Sequence, residues 1–109
     1  MSVPENLDIL IPWRIITESE RKTELFTAEL SSELFPKHVL YGLTARALAA
    51  RIDRDDVLFE IESTDMALVV VHLTWRKESD ARWPTTRFFA SWEQWVRDEM
   101  LPAYQEYSP

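Results

Sequence analysis

The clearest pattern in the chain is an alternation of apolar residues in its central part. Two segments, 57–61 and 67–75, place an apolar side chain at every second position, as a β-strand with one buried face does. The residues predicted to share the face that packs against helices are Val57, Phe59, Ile61, Val69, Val71 and Leu73. Because the second segment is also apolar at Leu68 and Val70, we expect it to be the best-covered strand.

Residues 43–52 fit two different elements. The segment is rich in alanine and leucine, which favours a helix. Its apolar residues also occupy alternate positions, which favours a strand; they are Leu43, Ala45, Ala47 and Ala49. We predict a strand, because the two segments that follow would otherwise form an isolated hairpin of marginal stability.

A first helix is predicted to begin at a capping box, in which Thr17 caps the backbone and Glu20 reaches back to it. Helical spacing then gives one apolar stripe, consisting of Leu25, Phe26, Leu30 and Leu34. Phe35 precedes Pro36, and the residue before a proline disfavours the helical conformation. The helix is therefore expected to end there.

A second helix is predicted from the capping box that Ser91 and Gln94 form. One side of this helix carries Trp92, Trp95 and Val96. Pro102 is predicted to stop the helix, because proline lacks the N–H donor that a helix needs. Residues 76–87, before the helix, are predicted to form a charged loop.

In chain order these elements predict a single α+β domain over residues 1–109, with an N-terminal arm over 1–16 and a tail over 103–109. The expected sheet is a three-stranded antiparallel meander, with a four-stranded sheet as the alternative, and the two helices are expected to pack on one face. Predicted turns at 53–56 and 63–65 fit this order, because neighbouring antiparallel strands need only short connections.

Composition excludes several kinds of site. The chain has no cysteine, which rules out a disulfide scaffold, a thiol nucleophile and thiolate-bound zinc. Gly42 is the only glycine, whereas loops that bind nucleotide phosphates need several. Asp53 and Asp55 start like a calcium loop, but the required glycine and closing glutamate are missing. We therefore expect no metal site and no cofactor.

Charge and hydropathy limit the partners and the location. The net charge of −7, from 19 acidic and 12 basic residues, disfavours nucleic-acid binding and makes a basic protein the more suitable partner. The longest unbroken apolar run, residues 66–71, is far shorter than the ~20 residues of a membrane span, so no membrane association is expected. The N-terminus lacks the basic and apolar segments of a secretory signal, so we expect a cytoplasmic protein.

A series of short sequence blocks occupies the region between residues 38 and 96. The blocks are His38, LYG at 40–42, DDVLF at 55–59, VHLTW at 71–75, WPxT at 83–86 and SWE at 91–93. Their order resembles that of a family of small bacterial proteins of unknown function. The resemblance implies a bacterial origin and a stand-alone domain, and it implies no activity.

His72 and the carboxylates near it form the best candidate for catalytic chemistry. In an antiparallel meander His72 lies opposite Asp56 or Leu58, with Glu60 further along the same face. A carboxylate beside an imidazole orients the ring and strengthens it as a general base. Thr74 shares this strand face and is a predicted binding residue. The alternative is a structural histidine at the sheet edge, bonded to a turn aspartate.

The chain has five tryptophans, and one of them is a candidate for binding. Trp83 lies in the charged loop and is predicted to be exposed, either at a binding surface or as a lid over the sheet end. Trp75 and Trp95 lie on predicted inward faces and are assigned to the core. His38, a further predicted binding residue, either joins the site or caps the first helix.

Two functional hypotheses follow. The first is a non-enzymatic, protein-binding module with an acidic, tryptophan-bearing surface, for example an antidote-like protein that masks a basic toxin, with a homodimer as an open alternative. The second is a small ligand-binding domain or enzyme that uses His72 with Asp56 or Glu60 in a pocket floored by the sheet. The two hypotheses differ in whether His72 opens into a concave, water-accessible cavity or lies under a helix.

Overall fold

A five-stranded sheet forms the centre of the computed structural model, which describes residues 4, 7–62, 68–76, 80 and 82–107. The strands are β1 (Trp13–Ile15), β2 (Ala45–Arg51), β3 (Asp56–Ile61), β4 (Leu68–His72) and β5 (Thr85–Phe89). They follow one another across the sheet in chain order, and each neighbouring pair is antiparallel. The sheet is therefore an antiparallel meander.

Helical segments lie between β1 and β2 and after β5. The first two are α1 (Glu18–Lys22) and α2 (Leu25–Glu33). After β5 the chain forms α3 (Trp92–Trp95), a π-helical turn (Val96–Met100) and α4 (Leu101–Tyr107). These last three run on without a break as one helix of 16 residues, which we call the C-terminal helix.

The strand predictions are confirmed in part. The three predicted strands are present as β2, β3 and β4, and the choice of a strand over a helix for residues 43–52 is confirmed. The sheet has five strands instead of three or four, because β1 lies in the predicted arm and β5 at the end of the predicted charged loop. β5 was missed because its exposed and half-buried positions carry two threonines and Arg87 where a typical strand face would be apolar.

Helices cover both faces of the sheet, so the prediction that they pack on one face is wrong. The six residues predicted to face a helix are all buried, which confirms that part of the prediction. The core of this first face, under α2, consists of Ile16, Leu30, Leu40, Ala47, Ala50, Val57, Phe59, Ile61, Val69, Val71 and Leu73. The core of the second face, under the C-terminal helix, consists of Trp13, Leu48, Ala49, Leu58, Leu68, Val70, Phe89, Trp95, Met100 and Ala103.

The composition of β4 explains why both faces need cover. Its first four residues, Leu68 to Val71, are all apolar and all fully buried. Since successive side chains of a strand point to opposite faces, such a strand is stable only when both faces are covered. The C-terminal helix supplies the second cover, and its Trp95 contacts Trp13 edge-on with 5.3 Å between ring centroids.

The C-terminal helix continues through Pro102 to Tyr107, so the predicted stop at Pro102 and the predicted tail are wrong. Proline ends most helices because it lacks an N–H and its ring meets the carbonyl four residues earlier. Here the π turn precedes it, and the N–H of Leu101 bonds to the carbonyl of Val96, five residues back. This wider turn makes room for the proline ring, and the helix then resumes and buries Ala103.

Both predicted helix starts are confirmed. Thr17 Oγ1 accepts a hydrogen bond from the N–H of Glu20, and the Glu20 carboxylate accepts one from the N–H of Thr17, each at 3.1 Å. Ser91 caps α3 by accepting a hydrogen bond of 3.1 Å from the N–H of Gln94. The Gln94 side chain bonds to the N–H of Ala90 instead of that of Ser91, so the second box is displaced by one residue.

The first predicted helix is divided in two at Glu24. This residue has a φ of 56°, in the left-handed region that few residues other than glycine adopt. The break separates α1 from α2 and leaves Leu25 exposed, so its assignment to the buried stripe is wrong. The other three residues of the stripe pack against the first face. α2 ends at Glu33, two residues before the predicted end.

Some predicted features lie outside the described residues. They include the turn at 63–65, Ala67 in the predicted third strand, and the parts of the charged loop at 77–79 and 81. None of the helices in the described part of the chain is long and apolar enough to cross a membrane.

Candidate functional site

His72 and Asp56 form the pair that the sequence predicted. They lie directly opposite each other where β3 begins and β4 ends, with His72 Nδ1 2.7 Å from Asp56 Oδ1. Asp56 is buried, whereas the His72 side chain is 44% exposed. Because a carboxylate oxygen accepts hydrogen bonds, the proton lies on Nδ1 and the lone pair of neutral His72 is on Nε2.

Arg87 and Glu99 hold Asp56 in place. Arg87 Nη2 lies 3.4 Å from the other carboxylate oxygen, Asp56 Oδ2. The same guanidinium donates two hydrogen bonds to Glu99 in the π turn, at 3.2 Å from Nε and 2.5 Å from Nη2. Burial lowers the pKa of Arg87, but the hydrogen bond to Glu99 and the charges of both carboxylates outweigh it and raise that pKa. The C-terminal helix is thereby linked to the histidine pair.

His72 opens into a concave cavity of about 440 Å³ at this end of the sheet. The residues that line the cavity are Asp55, His72, Leu73, Thr74, Arg76 and Trp83. Trp83 is 43% exposed, which confirms the prediction that it lies at the surface. The volume is within the range of small-molecule sites, which is about 300–1,000 Å³.

The neighbouring aspartates Asp55 and Asp56 serve two parts of the site: Asp56 begins β3, and Asp55 belongs to the bend before it. Asp56 bonds to the histidine, and Asp55 lines the cavity. The turn before them is closed by Arg51, which makes two hydrogen bonds of 2.8 Å to Asp53 and lowers the pKa of that carboxyl. The carbonyl of Asp55 accepts a 2.9 Å hydrogen bond from the N–H of Leu73, which joins the two strands at the cavity.

Glu33, at the end of α2, fixes one wall of the cavity. Its buried carboxylate accepts hydrogen bonds from the N–H of Thr74 at 2.7 Å, from the Thr74 hydroxyl at 3.0 Å and from the N–H of Trp75 at 2.8 Å. Trp75 has a φ of 58° and is 44% exposed, so its assignment to the core is wrong. The left-handed residue ends the strand alternation and turns the indole away from the core.

Glu29 lies one helical turn before Glu33. A hydrogen bond to Glu33, followed by burial and the like charge of Glu33, raises the pKa of the Glu29 carboxyl to about 7. Because Glu33 already accepts three hydrogen bonds, Glu29 is the member of the pair that retains a proton near neutral pH.

Three predicted site residues are not among those that line the cavity: Asp56, which bonds to His72, and also His38 and Glu60. His38 is buried, with Nε2 2.8 Å from the carbonyl of Pro84 and with Nδ1 accepting a 3.0 Å hydrogen bond from the N–H of Leu40. With both ring nitrogens bonded, His38 ties the segment before β2 to the segment before β5. Glu60 lies four residues along β3 from Asp56, which places it outside the histidine pair.

Several site residues were not identified from the sequence. Glu33 and Glu99 act through contacts to distant parts of the chain, and no local pattern distinguishes them from other helix acids. Arg87 was assigned to a solvated loop, because its strand was not predicted. Asp55 and Arg76 could have been found, since residues that flank the adjoining ends of two antiparallel strands meet at one sheet edge.

Neither a metal-ligand cluster among the described residues nor a match to a known protein indicates a function for this site. Among the described residues, no group of three or more histidine and carboxylate side chains is arranged to hold a metal ion. No family model, no characterised protein and no solved structure matches the chain. The resemblance to a family of small bacterial proteins therefore stays a prediction, and function has to be inferred from the site.

Proposed function

We propose that the protein binds a small molecule in the cavity beside His72, and that the Asp56–His72 pair exchanges a proton with that molecule. The observation that carries the proposal is the position of His72, which lines a concave cavity instead of lying under a helix. Between the two hypotheses drawn from the sequence, this geometry favours the ligand-binding domain or enzyme.

The histidine pair has the arrangement that proton exchange requires. Buried Asp56 accepts a hydrogen bond from the Nδ1–H of His72, which fixes the orientation of the ring and leaves Nε2 as the exchanging atom. Nε2 has no hydrogen-bond partner among the described residues, so a ligand or water in the cavity is free to bond to it. Arg87 restrains the carboxylate from its other side.

The lining of the cavity favours proton transfer over covalent catalysis. The Thr74 hydroxyl, the only hydroxyl among the described lining residues, donates a hydrogen bond to Glu33 at 3.0 Å. A hydroxyl held in this way is not activated by His72. The chemistry that fits is general acid–base catalysis, in which His72 removes a proton from a bound ligand, gives a proton back to it, or activates a water molecule.

The second candidate is the protein-binding module, which a different observation favours. Trp75 and Trp83 are 44% and 43% exposed, and they lie at the same end of the sheet, after β4 and before β5. Exposed tryptophans are frequent anchors of protein interfaces, and the net charge of −7 favours a basic partner.

NMR titration with a mixture of small carboxylic acids, amines and amino acids tests the ligand site. We expect at least one probe at millimolar concentration to shift the indole signal of Trp83 and the ring signals of His72. His72→Gln is expected to weaken that binding by about tenfold or more, because the exchanging nitrogen is lost. Leu25→Ala removes an exposed apolar side chain outside the cavity and should bind as the wild type does.

The proposal fails if no probe perturbs Trp83 or His72, or if His72→Gln binds every probe as tightly as the wild type. The module is supported instead if a basic protein binds the wild type and His72→Gln equally but does not bind a Trp75→Ala/Trp83→Ala double variant. Preserved NMR dispersion in each variant shows that the fold is intact.

A further inference from the structure

The cavity beside His72 contains two opposite charges, Asp55 and Arg76, that no described residue neutralises. Neither side chain makes a hydrogen bond or an ion pair within the described part of the chain. The neighbouring turn is different, because Arg51 and Asp53 neutralise each other through contacts of 2.8 Å. An acid and a base that have no partner among the described residues therefore line the same cavity.

The rest of the described lining includes an apolar surface and a hydrogen-bond acceptor on His72. Trp83 presents an indole that is 43% exposed, and Leu73 is also part of the lining. A flat indole face suits an aromatic or aliphatic group of a ligand. The Nε2 lone pair of neutral His72 is the acceptor.

We infer that the cavity binds a zwitterionic molecule of the size of a free amino acid, with its ammonium group at Asp55, its carboxylate at Arg76 and its apolar part against Trp83. This inference rests on the proposed function. A ligand with a single charge would leave Asp55 or Arg76 unpaired where the ligand excludes water, and an unpaired charge is costly there.

The chemistry of the two charged groups fits this assignment. A guanidinium forms two parallel hydrogen bonds with a carboxylate, which makes Arg76 a specific partner for that end of the ligand. An ammonium group has three donors, so it bonds to Asp55 and has a further proton for His72 Nε2. The proton exchange proposed for His72 is then assigned to the ligand nitrogen.

Three related probes separate the two charges. L-phenylalanine carries both, L-phenylalaninamide lacks the carboxylate, and N-acetyl-L-phenylalanine lacks the ammonium group. We expect L-phenylalanine to bind the wild type about tenfold or more tightly than either analogue, measured by NMR titration or calorimetry.

Two substitutions that each remove one charge complete the test. Asp55→Asn is expected to weaken the binding of L-phenylalanine by about tenfold. The affinity for N-acetyl-L-phenylalanine should stay unchanged, because that probe has no ammonium group to bond to Asp55. Arg76→Gln is also expected to weaken the binding of L-phenylalanine by about tenfold and to leave the affinity for L-phenylalaninamide unchanged. Both residues are exposed, so each variant should keep the fold, which NMR dispersion checks.

Distinct outcomes decide between this inference and the proposed function. The inference of a zwitterionic ligand is overturned if the wild type binds the three probes equally. It is also overturned if both variants lose affinity equally for all three. The proposed function still stands in that case, provided that some probe perturbs the signals of His72 and Trp83. If neither these probes nor the broader mixture perturbs the cavity, both proposals are overturned.

Discussion

The two covered faces of the sheet differ in what their helices bring to them. On the first face α2 packs on aliphatic side chains and Phe59, and its buried acid, Glu33, binds the chain where it leaves β4. On the second face the C-terminal helix brings Trp92 and Trp95, whose rings meet edge-on at 5.6 Å. Beyond these aromatic rings the second face ends in the charged network around Asp56.

This difference explains where the candidate site lies. Val70 and His72 share one face of β4 and are two residues apart, yet Val70 is fully buried and the His72 side chain is 44% exposed. The cover provided by the C-terminal helix therefore ends between them. Asp56 lies opposite His72 but is buried, which strengthens its hydrogen bonds, whereas the half-exposed His72 side chain is accessible to solvent.

The largest expected effect tests which face stabilises the fold more. Trp95→Ala is expected to lower the free energy of unfolding by about 3–5 kcal/mol, because the side chain is fully buried and contacts Trp13 and Trp92. Leu30→Ala, on the first face, is expected to cost less, about 2–4 kcal/mol. Urea unfolding, followed by far-UV circular dichroism, measures both.

Trp83→Ala is the matched control for the tryptophan substitution. Its side chain is 43% exposed, so the change in unfolding free energy is expected to stay below about 1 kcal/mol. If Leu30→Ala lowers the free energy of unfolding more than Trp95→Ala does, the comparison is reversed, and α2 stabilises the sheet more than the C-terminal helix does.

The first face was predictable from the sequence, and the second was not. Period-two spacing from Val57 to Leu73 is a local signal, and it placed the first face correctly. The second face is covered only because the C-terminal helix continues past Pro102. This continuation requires a π turn, which no residue pattern in the sequence predicts. Without this helix, the face that holds Val70 and His72 could be interpreted only as mixed.

The candidate site was predictable to the same extent. Antiparallel neighbours in a meander place His72 opposite Asp56 or Leu58, and the observed register of β3 and β4 selects Asp56. Glu33 could not be placed, since its partner Thr74 is 41 residues away along the chain. Arg76 was visible as a charge near a strand end, but the cavity that it lines with Trp83 depends on tertiary structure.

Substitutions at the two helix caps are expected to change the free energy of unfolding by an intermediate amount. Ser91→Ala is expected to cost about 1 kcal/mol, because Ser91 starts the helix that buries Trp95. Thr17→Ala is expected to cost nearer 0.5 kcal/mol, about the lower end of the usual range, because α1 buries none of its residues. Urea midpoints of the two variants measure the difference, and equal losses would show that α1 is as tightly coupled to the fold as the C-terminal helix.

The smallest expected effect is the dependence of stability on pH, which we assign to the helices of the first face. Hydrogen bonding to Arg14 lowers the pKa of Glu20 from 4.5 to about 2, so its contribution is present above pH 4.5 and is lost as pH falls towards 2. The pKa of Glu29 is raised from 4.5 to about 7, so folding takes up a proton and stability falls as pH rises from 4.5 to 7. Both side chains are partly exposed, so each change should stay below about 1 kcal/mol.

Glu29→Gln separates the two pH ranges. A glutamine keeps the hydrogen bond without ionising, so this variant should lose the decline in the urea midpoint between pH 4.5 and 7 and keep the decline below pH 4.5. Arg14→Gln should show the reverse, because Glu20 then loses the partner that holds its pKa low. Midpoints at three pH values, about 3, 5 and 7.5, are sufficient to test both variants. If the urea midpoint of Glu29→Gln declines between about pH 5 and 7.5 as that of the wild type does, the titrating group is not Glu29, and the decline cannot be assigned to the helices of the first face.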